Sequence, residues 1–212
     1  MLTKVGDMTR EVTIILPNTH KLWIRGISLS VYSRSYDYYS QIQEFSRLGK
    51  LVHDYKYLKY LKPERRREII EECSKAVVDE LHIKQSPVKE SFNCLISVPP
   101  NINKDISLPD QVATALASEF TWLRNCSNAI AKSREIPSIK TTDKGNRSEA
   151  IKGAYSINPS LLPEDICGFL IIDDIYDTGS TVREIARTLK REFPEIPRYV
   201  ITLTHLRSVW GA

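Results

Sequence analysis

The chain has 212 residues, enough for one domain with a sizeable appendage and a hydrophobic core. Its 30 basic and 26 acidic residues leave a net charge of +4 spread through the sequence, a balance that does not demand nucleic acid as a partner. Four cysteines, Cys73, Cys94, Cys126 and Cys167, stand far apart without C-x-x-C spacing, which argues against a zinc ribbon or a disulfide framework and for buried thiols in a reducing compartment.

No charged-then-apolar signal segment opens the chain, and no apolar run approaches about 18 residues, so a cytoplasmic protein without a membrane partner is expected. Residues 11–16 read as a strand ending at Pro17, and residues 22–32, carrying Leu22, Ile24, Ile27 and Leu29, supply one or two more. From Tyr38 to Tyr60 the apolar positions Ile42, Phe45, Leu48, Leu51, Val52 and Tyr55 recur at three and four residues, which predicts a helix. Pro63 suits the start of a second helix, whose apolar face continues through Ile69, Cys73, Val77 and Leu81 to about His82. The polar stretch around Lys84 to Glu90, with Pro87, reads as a linker between N-terminal strands and helices (1–83), packed on the core, and the core itself (84–212).

Beyond it, strand and helix alternate. Phe92 to Val98 is an apolar strand stopped by Pro99 and Pro100, Leu108 to Leu123 is helical, and Ala129 to Ala131 and Gly153 to Ile157 are short strand candidates. A strand from Phe169, a helix from Thr181 to Phe193 and a strand from Tyr199 to Thr204 close the pattern. Such alternation implies an α/β fold, a parallel sheet flanked by helices with an N-terminal strand/helix appendage.

The most specific stretch is residues 169–181, where the apolar run Phe169 to Ile172 meets Asp173 and Asp174, and a turn of Asp177, Thr178, Gly179, Ser180 and Thr181 opens a helix. Carboxylates at the end of a parallel strand lie where such sheets bind ligands, and small turn residues let backbone N–H groups approach an anion that the helix N-terminus favours. A phosphate suits the turn and the vicinal hydroxyls of a ribose suit the carboxylates, each charge-assisted bond contributing about 1.5–3 kcal/mol. The plainer reading, that the two aspartates cap the next helix, leaves the second carboxylate and the four-residue turn unexplained. A receiver domain also has an acidic pair after a strand, but fewer than forty residues follow Asp174, too few for its remainder.

Residues 132–152 are polar and poor in apolar periodicity. Their cations Lys132, Arg134, Lys140, Lys144 and Arg147 are candidates to close over a diphosphate, the competing reading being a solvated surface loop.

Residues 169–181 resemble the phosphoribosyl-diphosphate (PRPP) signature of type I phosphoribosyltransferases. From about Ser46 to His205 the order of segments resembles the ComF-like branch of that family: Leu48 to Tyr57 ending in a Lys-Tyr pair, Leu95 to Pro100 ending in Val-Pro, and Ser133 to Tyr155 as a basic hood with a short strand. The family's cysteine-rich ribbon is missing, and Ile106 to Asp110 replaces its Arg-Gly-Phe-Asn stretch. Asp177, where that branch often has Thr, resembles instead the purine-salvage transferases, in which the residue handles a proton of the base.

The resemblance implies transfer of ribose 5-phosphate from PRPP to a nitrogen acceptor such as a nucleobase, with release of diphosphate. Asp173 and Asp174 would orient the ribose and hold Mg2+ indirectly, through ribose hydroxyls or water. Asp177 through Thr181 would hold the 5′-phosphate, with Asp177 relaying a proton. Pro100, Asn101 and the hood cations Lys132, Arg134, Lys144 and Arg147 would meet the diphosphate. The same cradle would serve a regulator that senses PRPP or a nucleotide without catalysis. A second copy of the chain is a candidate partner. So is single-stranded DNA, for which Tyr32, Tyr36, Tyr38 and Tyr39 beside Arg25 and Arg34 offer a stacking surface if they are not core residues.

Overall fold

The computed structural model describes residues 13–18, 21–37, 42–82, 90–100, 107–134 and 147–206, with the backbone alone at 34–37, 42 and 147–148. The fold is mixed α/β. Among the described residues the strands are β1 (Ile14–Ile15), β2 (Arg25–Ser28), β3 (Ser33–Asp37), β4 (Ile42–Phe45), β5 (Cys94–Ser97), β6 (Arg124–Asn125), β7 (Ile130–Lys132), β8 (Tyr155–Ile157), β9 (Phe169–Tyr176) and β10 (Arg198–His205). The α-helices among them are α1 (Arg47–Tyr57), α2 (Pro63–Leu81), α3 (Leu108–Glu119), α4 (Arg147–Ile151) and α5 (Ser180–Glu192).

The central sheet has six strands in the order β1-β2-β10-β9-β5-β6, all parallel except the antiparallel β1. Strands β5 and β9 at its middle are apolar on both sides because both faces are covered. Period-two alternation sends Leu170 and Ile172 to the face under α1, α2 and α3, where Leu51, Val52, Ile69, Val77, Val112 and Leu116 pack. Phe169 and Ile171 point the other way, against Val182, Ile185, Ala186 and Leu189 of α5. Eight-residue β9 is the ladder's spine, paired with β10 from Phe169 to Tyr176 and with β5 from Phe169 to Ile172. The segment before residue 84 adds β2 alongside β10, and Leu48, Leu51 and Val52 of α1 join the same buried cluster as Leu95 and Leu170.

Three sequence expectations need correction. The helix predicted from Tyr38 begins only at Arg47; Phe45 and the residues before it form the second strand of an antiparallel pair, β3–β4. Ser46 decides the boundary, since its Oγ accepts from the Gly49 N–H at 2.8 Å as an N-cap and donates to the Val31 carbonyl. Ser46→Ala is expected to cost about 1–2 kcal/mol, both bonds being lost in a buried setting, read as a lower midpoint at unchanged slope in urea unfolding. Second, α3 stops at Glu119 and the chain adds a two-residue edge strand, β6. Third, β7 and β8 are not in the parallel sheet but form their own antiparallel pair. The acidic pair lies toward the carboxyl end of β9, as expected, and β10 continues the ladder past it through Thr202↔Asp173 and Thr204↔Ile175.

Cys73, Cys94 and Cys126 are buried thiols, as the cysteine spacing suggests, and Cys167 is partly exposed. The linker expected near Lys84 to Glu90 falls almost wholly outside the described residues. Among the described residues no helix is long and apolar enough to cross a membrane.

Candidate active site

Strand order locates the crevice. From β5 the chain passes through α3 to β6 on one side, and from β9 it passes through α5 to β10 on the other. The two crossovers leave in opposite directions from adjacent strands, so a cleft opens beyond the carboxyl ends of β5 and β9, the switch point at which open α/β sheets bind ligands. Two adjoining cavities lie there. One, of about 380 Å³, is lined by the end of α1 (Tyr55, Lys56), by Arg66 of α2, by Pro99 and Pro100, and by the start of α3. The other, of about 410 Å³, is lined by Tyr57, by Leu206 and by the whole turn from Asp177 to Thr181. Lys56, Val98, Asp173 and Asp174 line both and form the ridge between them.

The aspartates differ because successive residues of a strand face opposite ways. Asp174 follows Leu170 and Ile172 toward α1, where Lys56 Nζ lies 3.0 Å from its Oδ1 and 2.9 Å from its Oδ2. Asp173 follows Phe169 and Ile171 toward the α5 face and is almost fully buried, at 9% exposure. Burial first, and then the charge of Asp174, push Asp173 up to about 8. Lys56 and the Asp174 N–H, which donates to Asp173 Oδ1 at 2.8 Å, only partly offset that. For Lys56, burial alone would lower the ammonium, but the charge and hydrogen bond of Asp174, with help from Asp173, hold it above the ordinary lysine range. Beneath the pair, the Thr204 hydroxyl donates to the Asp174 carbonyl at 2.9 Å, fixing the strand end to β10.

The turn is a short one. Gly179 is the N-cap of α5 in the left-handed region, φ 71°, and no side chain caps the helix there. Of the first N–H groups of this thirteen-residue helix, that of Ser180 donates to Thr178 Oγ1 at 3.4 Å, and the turn that carries them lines the second cavity, the arrangement that receives an anion. Thr178 Oγ1 and Ser180 Oγ are 2.8 Å apart across the turn, and Arg183 Nη2 donates to the Thr178 carbonyl at 2.6 Å. Under the turn the ring of Tyr176 is stacked on His205, with centroids 5.5 Å apart, and its buried hydroxyl has no hydrogen-bond partner.

The structure thus gathers Asp173, Asp174, Asp177, Thr178, Gly179, Ser180 and Thr181 around one cavity, with Pro100 on the neighbouring one. The hood cations are placed differently. Lys132 donates from Nζ to the Pro100 carbonyl at 2.9 Å, bracing the loop after β5, and burial lowers its pKa. Arg134 donates from Nη2 to the carbonyls of Ala150 and Lys152 at 2.8 and 3.1 Å, closing the base of the hood. Arg147 opens α4. Asn101, Lys140 and Lys144 lie outside the described residues. The hood is also tied to α5, where buried Glu184 accepts from the Gly153 N–H at 2.7 Å and pairs with Arg187.

Of the tyrosines read as a stacking surface, Tyr32 is a core residue, edge-on to Phe45 and raised to about 12, chiefly by burial. Tyr38 and Tyr39 lie outside the described residues. Lys56 is the site residue that sequence reasoning passed over. Its signal was the Lys-Tyr pair ending α1, but its partner is 118 positions away. Among the described residues no group of three or more His, Cys, Asp or Glu side chains forms a metal cage. The chain matches no protein-family model and no curated protein.

Proposed function

We propose that the chain is a type I phosphoribosyltransferase that binds PRPP in this crevice and transfers ribose 5-phosphate to a nitrogen acceptor. The observation that carries the reading is the joining, in one cavity at the sheet's switch point, of a carboxylate pair and a helix N-terminus without a side-chain cap. A cavity lined by both groups suits a molecule with a phosphate at one end and vicinal hydroxyls beside it. The 5′-phosphate would accept from the N–H groups of Gly179 to Thr181 and from the hydroxyls of Thr178 and Ser180, and the ribose hydroxyls would donate to Asp173 and Asp174.

In the reaction the acceptor nitrogen bonds to C1 as the C1–O bond to diphosphate breaks, through a transition state with positive charge on the sugar ring. Carboxylates held against that ring stabilise the charge, and a fixed sugar presents C1 to the acceptor without reorganisation. Asp177, on the same cavity, would take the proton that the acceptor nitrogen sheds. The donor set at the ridge is carboxylate oxygen, which suits Mg2+, an ion that keeps several waters and draws other ligands from substrate phosphates. Asp173 and Asp174 would hold it through water or ribose hydroxyls. Bound there, Mg2+ supplies neutralisation of the departing diphosphate.

PRPP is expected to bind in calorimetry only when Mg2+ is present, and diphosphate to be released when one member of a panel of nucleobases and other amines is added. Binding without release under any acceptor would make the chain a PRPP-responsive regulator. No binding of PRPP with Mg2+ would remove both readings.

A further inference from the structure

We propose that Lys56 is an internal counter-ion of the acidic ridge, keeping free divalent cations off Asp173 and Asp174 and giving the pair up only to a cation that arrives on a polyphosphate, which then takes the ammonium. The cation's role rests on the PRPP reading above, while the counter-ion itself stands on the ion pair. Lys56 Nζ is within 3.0 Å of both oxygens of Asp174, at a position 29% exposed against 14% for the carboxylate. A small hard cation seeking those oxygens meets an ammonium already there. Displacing it without compensation would leave a largely desolvated positive charge beside a second one, which is unfavourable.

The way out is built into the ridge. Lys56 lines both cavities, and the one on the side of α2 carries a second cation, Arg66, and a buried Tyr55 hydroxyl that has no hydrogen-bond partner among the described residues. A diphosphate reaching that cavity offers Lys56 new oxygens as its own cation reaches Asp174, so neither charge is stranded at any stage. The exchange makes cation and anion binding mutually dependent through one flexible side chain. It also assigns the lysine of the Lys-Tyr pair a positioning role in place of a merely structural one.

The test uses Mn2+ as the probe, its protein-bound amount read by equilibrium dialysis with the same buffer on both sides, with the full chain, Lys56→Met and Lys56→Arg. Without phosphate compounds, Lys56→Met should bind Mn2+ tighter than wild type by about tenfold or more, as removal of a unit charge 3 Å away implies, and Lys56→Arg should behave as wild type. Adding inorganic diphosphate should raise Mn2+ uptake by wild type and by Lys56→Arg far more than by Lys56→Met. Equal Mn2+ affinity of wild type and Lys56→Met without diphosphate overturns the proposal. Should Lys56→Met fail to fold, wild type alone decides: Mn2+ bound as tightly without diphosphate as with it refutes the assignment. A wild-type chain that ignores PRPP but keeps the Mn2+ difference would remove the transferase reading and leave the counter-ion standing.

Discussion

Gly179→Val is expected to destabilise the fold by about 2–5 kcal/mol and to abolish binding of ribose 5-phosphate, checked by urea unfolding and by calorimetry. Two costs combine. At φ 71° a side chain with Cβ is strained by about 1–2 kcal/mol, and a branched one more so. A Cβ there would also lie 2.6 Å from Tyr176 Cε2 and nearer still to its Cζ and hydroxyl. Tyr176 is buried and stacked on His205, so shifting its ring disturbs that packing, and overpacking adds about 1–3 kcal/mol. The sequence alone suggests that Gly179 is needed so that a phosphate can approach the backbone; the geometry adds that its missing side chain makes room for a tyrosine of the preceding strand. Truncating the ring separates the two demands. In a double-mutant cycle, Gly179→Ala should cost less in a Tyr176→Ala background than in wild type, by the overpacking part alone, the conformational strain remaining in both. If Gly179→Val unfolds at the wild-type urea midpoint, the close packing of turn on strand is refuted.

How much of this was legible beforehand depends on where each determinant resides. The run Phe169 to Ile172 and the small-residue turn are local, and they identify a buried strand leading to a helix without any tertiary knowledge. The strand's true end is not local, because aspartates are poor strand formers and it is the ladder to Thr202 and Thr204 that carries β9 through Asp173 and Asp174 to Tyr176. That extension matters chemically. In a loop the two carboxylates could turn to one side; in a strand they must diverge, one into the α5 face and one toward α1.

The α1 boundary shows the same limit at short range. The spacing of Ile42, Phe45 and Leu48 fits a helix, and only the Ser46 hydroxyl, bonded to Gly49 and to Val31, ends the strand and begins the helix. Lys56 illustrates it at long range. Nothing in the sequence near Lys56 specifies Asp174 as its partner, because the pairing exists only once α1 lies across the end of β9.

Replacing Asp173 and Asp174 together by Asn is expected to weaken PRPP binding with Mg2+ by about 10²–10⁴-fold, the loss of two charge-assisted contacts of about 1.5–3 kcal/mol each. The single variants should part company in stability. Asp174→Asn leaves the Lys56 ammonium without its carboxylate, a loss of about 1–3 kcal/mol, less than for a dry pair because Lys56 keeps 29% exposure. Asp173→Asn replaces a buried group that favours its neutral form, so it should be neutral or stabilising at pH 8. The pH profile carries the sign. Between 3.8, the unfolded value, and about 8 the folded chain keeps a proton on Asp173 that the unfolded chain has released. The native state binds more protons across that window, so Asp173 makes stability fall as pH rises from about 4 to 8, and the fall ends above the folded value. Urea midpoints for wild type and Asp173→Asn should therefore converge near pH 4 and separate toward pH 8, with the variant the more stable. Parallel profiles across that range would mean that Asp173 is ionised in the folded chain at little cost, and that its burial does not hold the proton.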